Sequence, residues 1–157
     1  MDRIEKTFEV DAPLQECYKT WIDFEHYPRF VQNLKSIRRK GAPHVWHWEV
    51  LGPENTLLNW DVEMDASQHN NRIISWHTVR DADIVHSGAL TLEPVDNKQK
   101  TRMHLVIQFS AGMLESTEWE QETVEKYLEK TLEQSISQFK MLMEQSVASA
   151  RLKFEGE

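Results

Sequence analysis

The residues of this chain best able to do chemistry are its histidines and their acidic neighbours. His44 and His47 fall in the segment HVWHWEV with Trp46, Trp48 and Glu49, and Asp61, Glu63, His77, His86 and His104 follow in later segments. Near neutral pH a histidine serves as acid, base or metal ligand, and histidines and carboxylates on neighbouring strands can converge on zinc. What these side chains do depends on where each one points, and that is set by the elements that carry them.

Residues 3–10 alternate around Ile4, Phe8 and Val10 and read as a first strand. Asp11-Ala12-Pro13 reads as a helix start, with Asp11 placed to cap and Pro13 in the first turn. Leu14, Cys17, Tyr18 and Trp21 then form one apolar stripe. After Asp23, a second capping residue, a short helix carries Phe24, Tyr27, Phe30 and Val31, its regularity limited by Pro28. Strands are expected at about 34–40, 44–51, 56–65, 72–79, 84–94 and 101–110. Turn signals separate them at Gly41-Ala42-Pro43, Gly52-Pro53-Glu54-Asn55, His69-Asn70-Asn71 and Asp96-Asn97-Lys98. Connections this short imply antiparallel neighbours.

From about Glu118 to Ala150 the apolar period becomes three and four, through Val124, Leu128, Leu132, Ile136, Phe139, Met143 and Val147. This is an amphipathic helix of roughly 45 Å, long enough to lie across a whole sheet. The order strand, two helices, six strands and a long helix is an α+β architecture in which the last helix covers one face of an antiparallel sheet. A sheet that curves around the helix leaves a space between them. The polar tail RLKFEGE after Ala150 is expected to fray.

Alternation assigns the faces. Trp46, Trp48 and Val50 share one face of their strand, against Val45, His47 and Glu49, while His44 lies at the turn. Leu58, Trp60, Val62 and Met64 oppose Asn59, Asp61 and Glu63; Ile74 and Trp76 oppose Ser75 and His77; Met103, Leu105, Ile107 and Phe109 oppose Arg102, His104 and Gln108. His47, His77 and His104 thus fall with the carboxylates on the polar face, where an antiparallel sheet meets water. No tight ligand spacing such as H-E-x-x-H occurs, and no metal is expected. His86 shares parity with Gly88, Leu90 and Leu92 and points inward, as a partner for a bound polar group or as a core histidine bonded to backbone. Trp48, Trp60 and Trp76, with Phe109, either line an apolar pocket or fill the space beneath the helix.

The rest of the composition narrows the function. A chain of 157 residues without repeats or linkers reads as one domain. A net charge of -8 and a pI near 5.4 argue against binding a nucleic-acid backbone. The one basic cluster, KSIRRK at 35–40, is a solvated strand end or a contact for an acidic partner. Mean hydropathy is -0.62 and no apolar run approaches a membrane span, so no integral membrane association is expected. MDRIEKTFEV lacks the apolar run of a usual secretory signal, and the single Cys17 cannot form an internal disulfide; both suit a cytoplasmic location.

The segment VDAPLQECYKTWIDFEHYPRFVQNLKSIRR, followed by HWEVLGP, NWDVEM, RIISWHTV, HSGALTLEPV and TRMHLVIQF, resembles the START-like (SRPBCC) superfamily in its polyketide cyclase/dehydrase branch. The order of the elements V-D-A-P, W-x-D-F-x-x-Y-P-R-F, W-D, I-x-W and S-G-x-L carries the resemblance, which covers nearly the whole chain. It implies a helix-grip fold over residues 1–157, a curved antiparallel sheet wrapped around the C-terminal helix with a deep apolar cavity between them. Relatives bind lipids, sterols, quinones or polyketides, and some catalyse aromatisation or cyclisation; fold membership does not choose among these.

A cyclase needs polar groups inside its cavity to move protons, whereas the inward face here is almost wholly apolar apart from His86 and either Thr78 or Tyr127. The expected function is binding of a small hydrophobic ligand by Trp48, Trp60, Trp76, His86, Leu90, Leu92, Leu105, Ile107, Phe109, Phe30 and Tyr127. Tyr27, Arg29 and Phe30 would shape the mouth, with Arg29 placed for an anionic head group. One alternative is a cyclase/dehydrase with His86 as acid or base. Another is an interaction module, such as a quinone-pathway chaperone, using the acidic helix or the basic strand end. No cofactor is expected, and at most weak homo-oligomerisation.

Overall fold

The computed structural model describes residues 2–41, 44–65, 72–110 and 121–155. The turns expected at Ala42-Pro43 and His69-Asn70-Asn71 and the helix start expected at 118–120 lie outside the described residues. The chain runs β1 (Asp2–Val10), α1 (Leu14–Ile22), a 3₁₀ turn (Phe24–Arg29), β2 (Leu34–Arg39), β3 (Val45–Leu51), β4 (Leu57–Asp65), β5 (Ile73–Val79), β6 (Val85–Val95), β7 (Lys100–Ser110) and α2 (Gln121–Glu155). The seven strands form one antiparallel sheet in the order β1-β7-β6-β5-β4-β3-β2. β2 to β7 is a meander, and β1 pairs with the free edge of β7, so α1 and the 3₁₀ turn carry the chain from one edge of the sheet to the other.

The start of α1 differs from the sequence expectation. Pro13 itself occupies the N-cap, with no side-chain cap bond, and the backbone N–H of Asp11 donates to Glu144 Oε2 of α2 at 2.9 Å. Asp11 thus ties the turn to the covering helix. Asp23 does cap, accepting from the Glu25 N–H at 3.0 Å, but the helix it starts is 3₁₀, with Pro28 inside it. Proline has no N–H to give an α-helical ladder, which suits the short tight form. α2 continues through Glu155 where fraying was expected. At 1.5 Å per residue its 35 residues span about 52 Å. No helix among the described residues is long and apolar enough to cross a membrane.

The core lies between the sheet and the helices. Val10, Ile74, Leu90, Met103, Phe109, Val124 and Phe139 are fully buried. Thr101, also fully buried, donates its hydroxyl to the Ala12 carbonyl at 2.8 Å and pins the start of α1 to β7. Trp76 and Gly88 face each other across β5 and β6, and the indole lies against the glycine backbone, where a Cβ would meet Trp76 Cζ2 at 2.2 Å. The S-G step of β6 is therefore a seat for an aromatic ring. At the sheet's edge Lys6 reaches from β1 to Glu129 and Glu133 of α2, at 3.2 and 3.1 Å.

Candidate functional site

Between the sheet, the α1–3₁₀ segment and α2 lies a cavity of about 150 Å³. Of the residues expected to line it, Trp48, Trp60, Trp76, His86, Leu105, Ile107, Phe30 and Tyr127 stand on its wall. Leu90, Leu92 and Phe109 do not; they are buried in the packed core. Parity puts them on the inward face, but that face is longer than the cavity, and α1 packs on β6 and β7 beyond it. Arg29, expected at the mouth, is exposed and off the wall.

Sequence reasoning brought Tyr27 and Phe30 to the cavity but missed Trp21 of α1 and Phe24 of the 3₁₀ turn. Trp21 and Phe24 line the cavity alongside Tyr27, opposite Leu128, Leu132 and Ile136 of α2. The apolar stripe ending at Trp21 was the available signal, since a stripe must bury its ring somewhere. The rings form a lattice: Trp21 meets Phe30 at 5.7 Å and Phe139 at 5.0 Å, and Trp48 meets Phe24 at 5.6 Å and Tyr27 at 5.5 Å. Most of these contacts are edge to face, an arrangement aromatic pairs favour. Trp46 shares the inward face but packs on Phe24 at 5.3 Å, with the Arg39 guanidinium 5.2 Å from its ring centre.

Most polar groups on the wall are engaged within the protein. Tyr127 donates its hydroxyl to the Leu51 carbonyl at 2.6 Å, and burial raises its phenol. Ser135 accepts from the Gln32 N–H at 3.0 Å and donates to the Thr131 carbonyl at 2.7 Å. Tyr27 donates to the Trp21 carbonyl at 2.7 Å, and burial pushes its phenol well above the ordinary value. Thr78, expected as a polar exception, is off the wall; its hydroxyl accepts from the His86 N–H and donates to the His86 carbonyl, both at 3.2 Å.

His86 is the histidine on the cavity wall. Its Nδ1 lies 3.1 Å from the Ile84 carbonyl, which can only accept, so Nδ1 carries the proton and Nε2 is left as an acceptor. Burial lowers its pKa to about 4, outweighing the Ile84 carbonyl, which favours the charged form. Its ring stands edge to face with Trp60 at 5.0 Å.

The outward histidines are held more firmly than a solvated face requires. His47, expected to meet solvent, has a side chain only 14% exposed, with Nδ1 2.6 Å from Asp61 Oδ1 and Nε2 3.1 Å from Asn59 Oδ1. Register places Asp61 directly opposite His47 across β3 and β4, and Lys40 closes on the same carboxylate at 3.0 Å. Burial raises the Asp61 carboxyl, but bonds from His47 and Lys40 outweigh it and leave the carboxyl below its usual range. His104 meets Glu5 at 2.8 Å, and His44 and His77 lie 3.4 and 3.9 Å from Glu63. Among the described residues no three His, Cys, Asp or Glu side chains are placed to hold a metal ion. Of the basic cluster, Arg39 stacks on Trp46 and Lys40 pairs with Asp61.

A family model described as polyketide cyclase / dehydrase and lipid transport matches residues 1–144. An uncharacterized 17.2 kDa protein of Streptomyces lincolnensis is 25% identical over 109 residues, 69% of each chain. The fold is shared with the ZhuI aromatase/cyclase of Streptomyces sp. R1128, at a TM-score of 0.78 and 17% identity over 93% of this chain and 95% of that one. It is also shared with a START superfamily protein of Mycobacterium smegmatis, at a TM-score of 0.73 and 18% identity over 91% of this chain and 97% of that one. The sheet and the helix it grips form the helix-grip fold, and the match over nearly all its length assigns the family: the chain belongs to the polyketide cyclase/dehydrase and lipid-transport family.

Proposed function

We propose that this protein is a non-enzymatic carrier or sensor that binds a small hydrophobic molecule in the cavity beneath α2. The observation that carries this reading is the cavity itself, about 150 Å³ walled by tryptophan, phenylalanine and aliphatic side chains. An apolar cavity of this order takes an aromatic ring the size of benzene. Each 100 Å² of ligand apolar surface removed from water contributes about 2.5 kcal/mol. Native mass spectrometry and organic extraction of gently purified protein, with titration of the small neutral dye azulene, test it. A bound small molecule or saturable dye binding is expected; neither an extractable molecule nor dye binding would overturn the reading.

A cyclase-type enzyme is the second reading, favoured by His86 standing on the wall with Nε2 as acceptor. A base with a pKa of about 4 is weak at neutral pH, where a general base works best with a pKa near the operating pH, and this supports the carrier. If a polyketide substrate is turned over, His86→Ala should retain binding and lose turnover; unchanged turnover removes His86 from the chemistry.

A further inference from the structure

No residue of the basic cluster KSIRRK lines the cavity; the cluster lies along an edge of the sheet. β2 is the last strand on its side, and among the described residues no strand lies beyond it. The Lys40 N–H donates to the Val45 carbonyl at 2.9 Å, and antiparallel pairs alternate, so Arg38 and Ser36 also bond inward to β3. Ile37 and Arg39 therefore turn their N–H and C=O groups outward, where no hydrogen bond from a described residue reaches them. An edge of this kind is a template for another strand. Bulges and lysines blunt such edges, and here both sit at the ends: the register shifts between Leu34 and Ser36, and Lys35 and Lys40 flank the regular stretch.

Charge decides what can pair there. Lys35, Arg38, Arg39 and Lys40 are all exposed, in a chain whose net charge is -8. Lys40 is paired with Asp61 and Arg39 lies over Trp46, whereas Lys35 and Arg38 have no ion pair among the described residues. The acids beside the edge are both engaged, Asp61 by His47 and Lys40, and Glu49 by the Ser36 hydroxyl at 3.0 Å. A second copy laid antiparallel on this edge would set cations against cations, and like charges directly opposite destabilise a strand pair. An anionic bilayer would answer the charges but leave the backbone groups unpaired. We infer that β2 receives an extended acidic segment of a partner protein, added as a further antiparallel strand. Alternation gives the guest its pattern: carboxylates opposite Arg39, Arg38 and Lys35, and an apolar side chain opposite Ile37, which shares the inward face with Trp48.

The test titrates the peptide GDEVTEG, with GKKVTKG as its charge-reversed control, into full-length protein labelled with nitrogen-15. Saturable shifts centred on β2 and slowed hydrogen exchange at the Ile37 and Arg39 amides are expected, with no binding of the control. Arg38→Glu should weaken the acidic peptide by about three- to tenfold. Arg39→Pro, which removes an outward N–H and no bond to β3, should weaken it more than Arg39→Ala does. No binding at millimolar peptide, equal binding of the control, a proline variant that binds as the alanine variant does, or binding that leaves both amides exchanging as in the free protein overturns the inference. Sedimentation with phosphatidylcholine–phosphatidylglycerol vesicles that Arg38→Glu abolishes would give the edge to a membrane. Self-association abolished by the same change would give it to a second copy, and either result overturns the inference.

Discussion

Gly88→Ala tests whether the sheet seats Trp76 as the structure places it. The added methyl would lie 2.2, 2.3 and 2.8 Å from Trp76 Cζ2, Cε2 and Nε1. Carbon atoms pack at about 3.5–4.0 Å, so the indole must withdraw by about 1.5 Å. Overpacking of this kind costs about 1–3 kcal/mol, and the lower backbone entropy of alanine offsets about 0.5–1 kcal/mol of it. A net loss of about 1–2 kcal/mol is expected, read as a lower urea midpoint at unchanged slope. Because Trp76 is part of the cavity wall, azulene should also bind several-fold more weakly. Adding Trp76→Leu to Gly88→Ala should make the alanine harmless, since the ring it strikes is gone. A Gly88→Ala protein as stable as the parent, with the same dye affinity, would refute the reasoning.

Acid should destabilise the fold through His86: with a folded pKa of about 4 and an unfolded value near 6.5, the unfolded chain holds more protons between those values, so stability falls as pH drops through that window. The loss is at most about 3 kcal/mol, and urea midpoints measured from pH 7 to 4 should fall less steeply in His86→Phe. Cys17 is buried, and burial pushes its thiol up to about 11; a thiol reagent at pH 8 should label it slowly in native protein and at once in urea, and fast native labelling would place it elsewhere. Tyr127→Phe removes the donor to the Leu51 carbonyl and should cost about 1 kcal/mol in denaturant unfolding; an unchanged midpoint would mean that the bond does not hold α2 to the sheet.

The strands and their faces were legible because a half-buried strand writes its burial as a period of two. Trp48, Trp60 and His86 follow from parity alone, and all three stand on the cavity wall. Position along a face is another matter. Leu90 has the same parity as His86 yet is sealed in the core, because where the cavity ends depends on how α1 crosses the sheet. The clamp on His47 was hidden for a related reason: its partners Asp61 and Asn59 come from the next strand, and their approach is set by register across the Gly52–Thr56 turn, where Glu54 and Asn55 take positive φ. Asp11 read as a cap from its residue type, but its backbone N–H is spent on Glu144, 133 residues away, a contact no local pattern records.

The apolar stripe of α2 does two kinds of work. Val124, Phe139 and Met143 are anchored in the core, while Leu128, Leu132 and Ile136 of the same stripe stand on the cavity wall and are only partly buried. At about 24 cal/mol per Å³, a cavity of 150 Å³ forgoes roughly 3–4 kcal/mol against a filled interior. The ion pairs of Lys6 with Glu129 and Glu133 are exposed and offset little of that; the bonds from Tyr127 and to Ser135 hold the helix at the turn side. A ligand that fills the space restores the missing contacts, so binding should raise the melting temperature with concentration. Filling the space from within should have the same thermodynamic effect and the opposite functional one. Ile136→Trp adds roughly 60 Å³ of side chain, worth about 1 kcal/mol at the same rate, and should give a more stable protein that no longer binds the dye. A variant that is destabilised and still binds would mean that Ile136 does not face the space the dye occupies, and that the cavity is not what limits the stability of this fold.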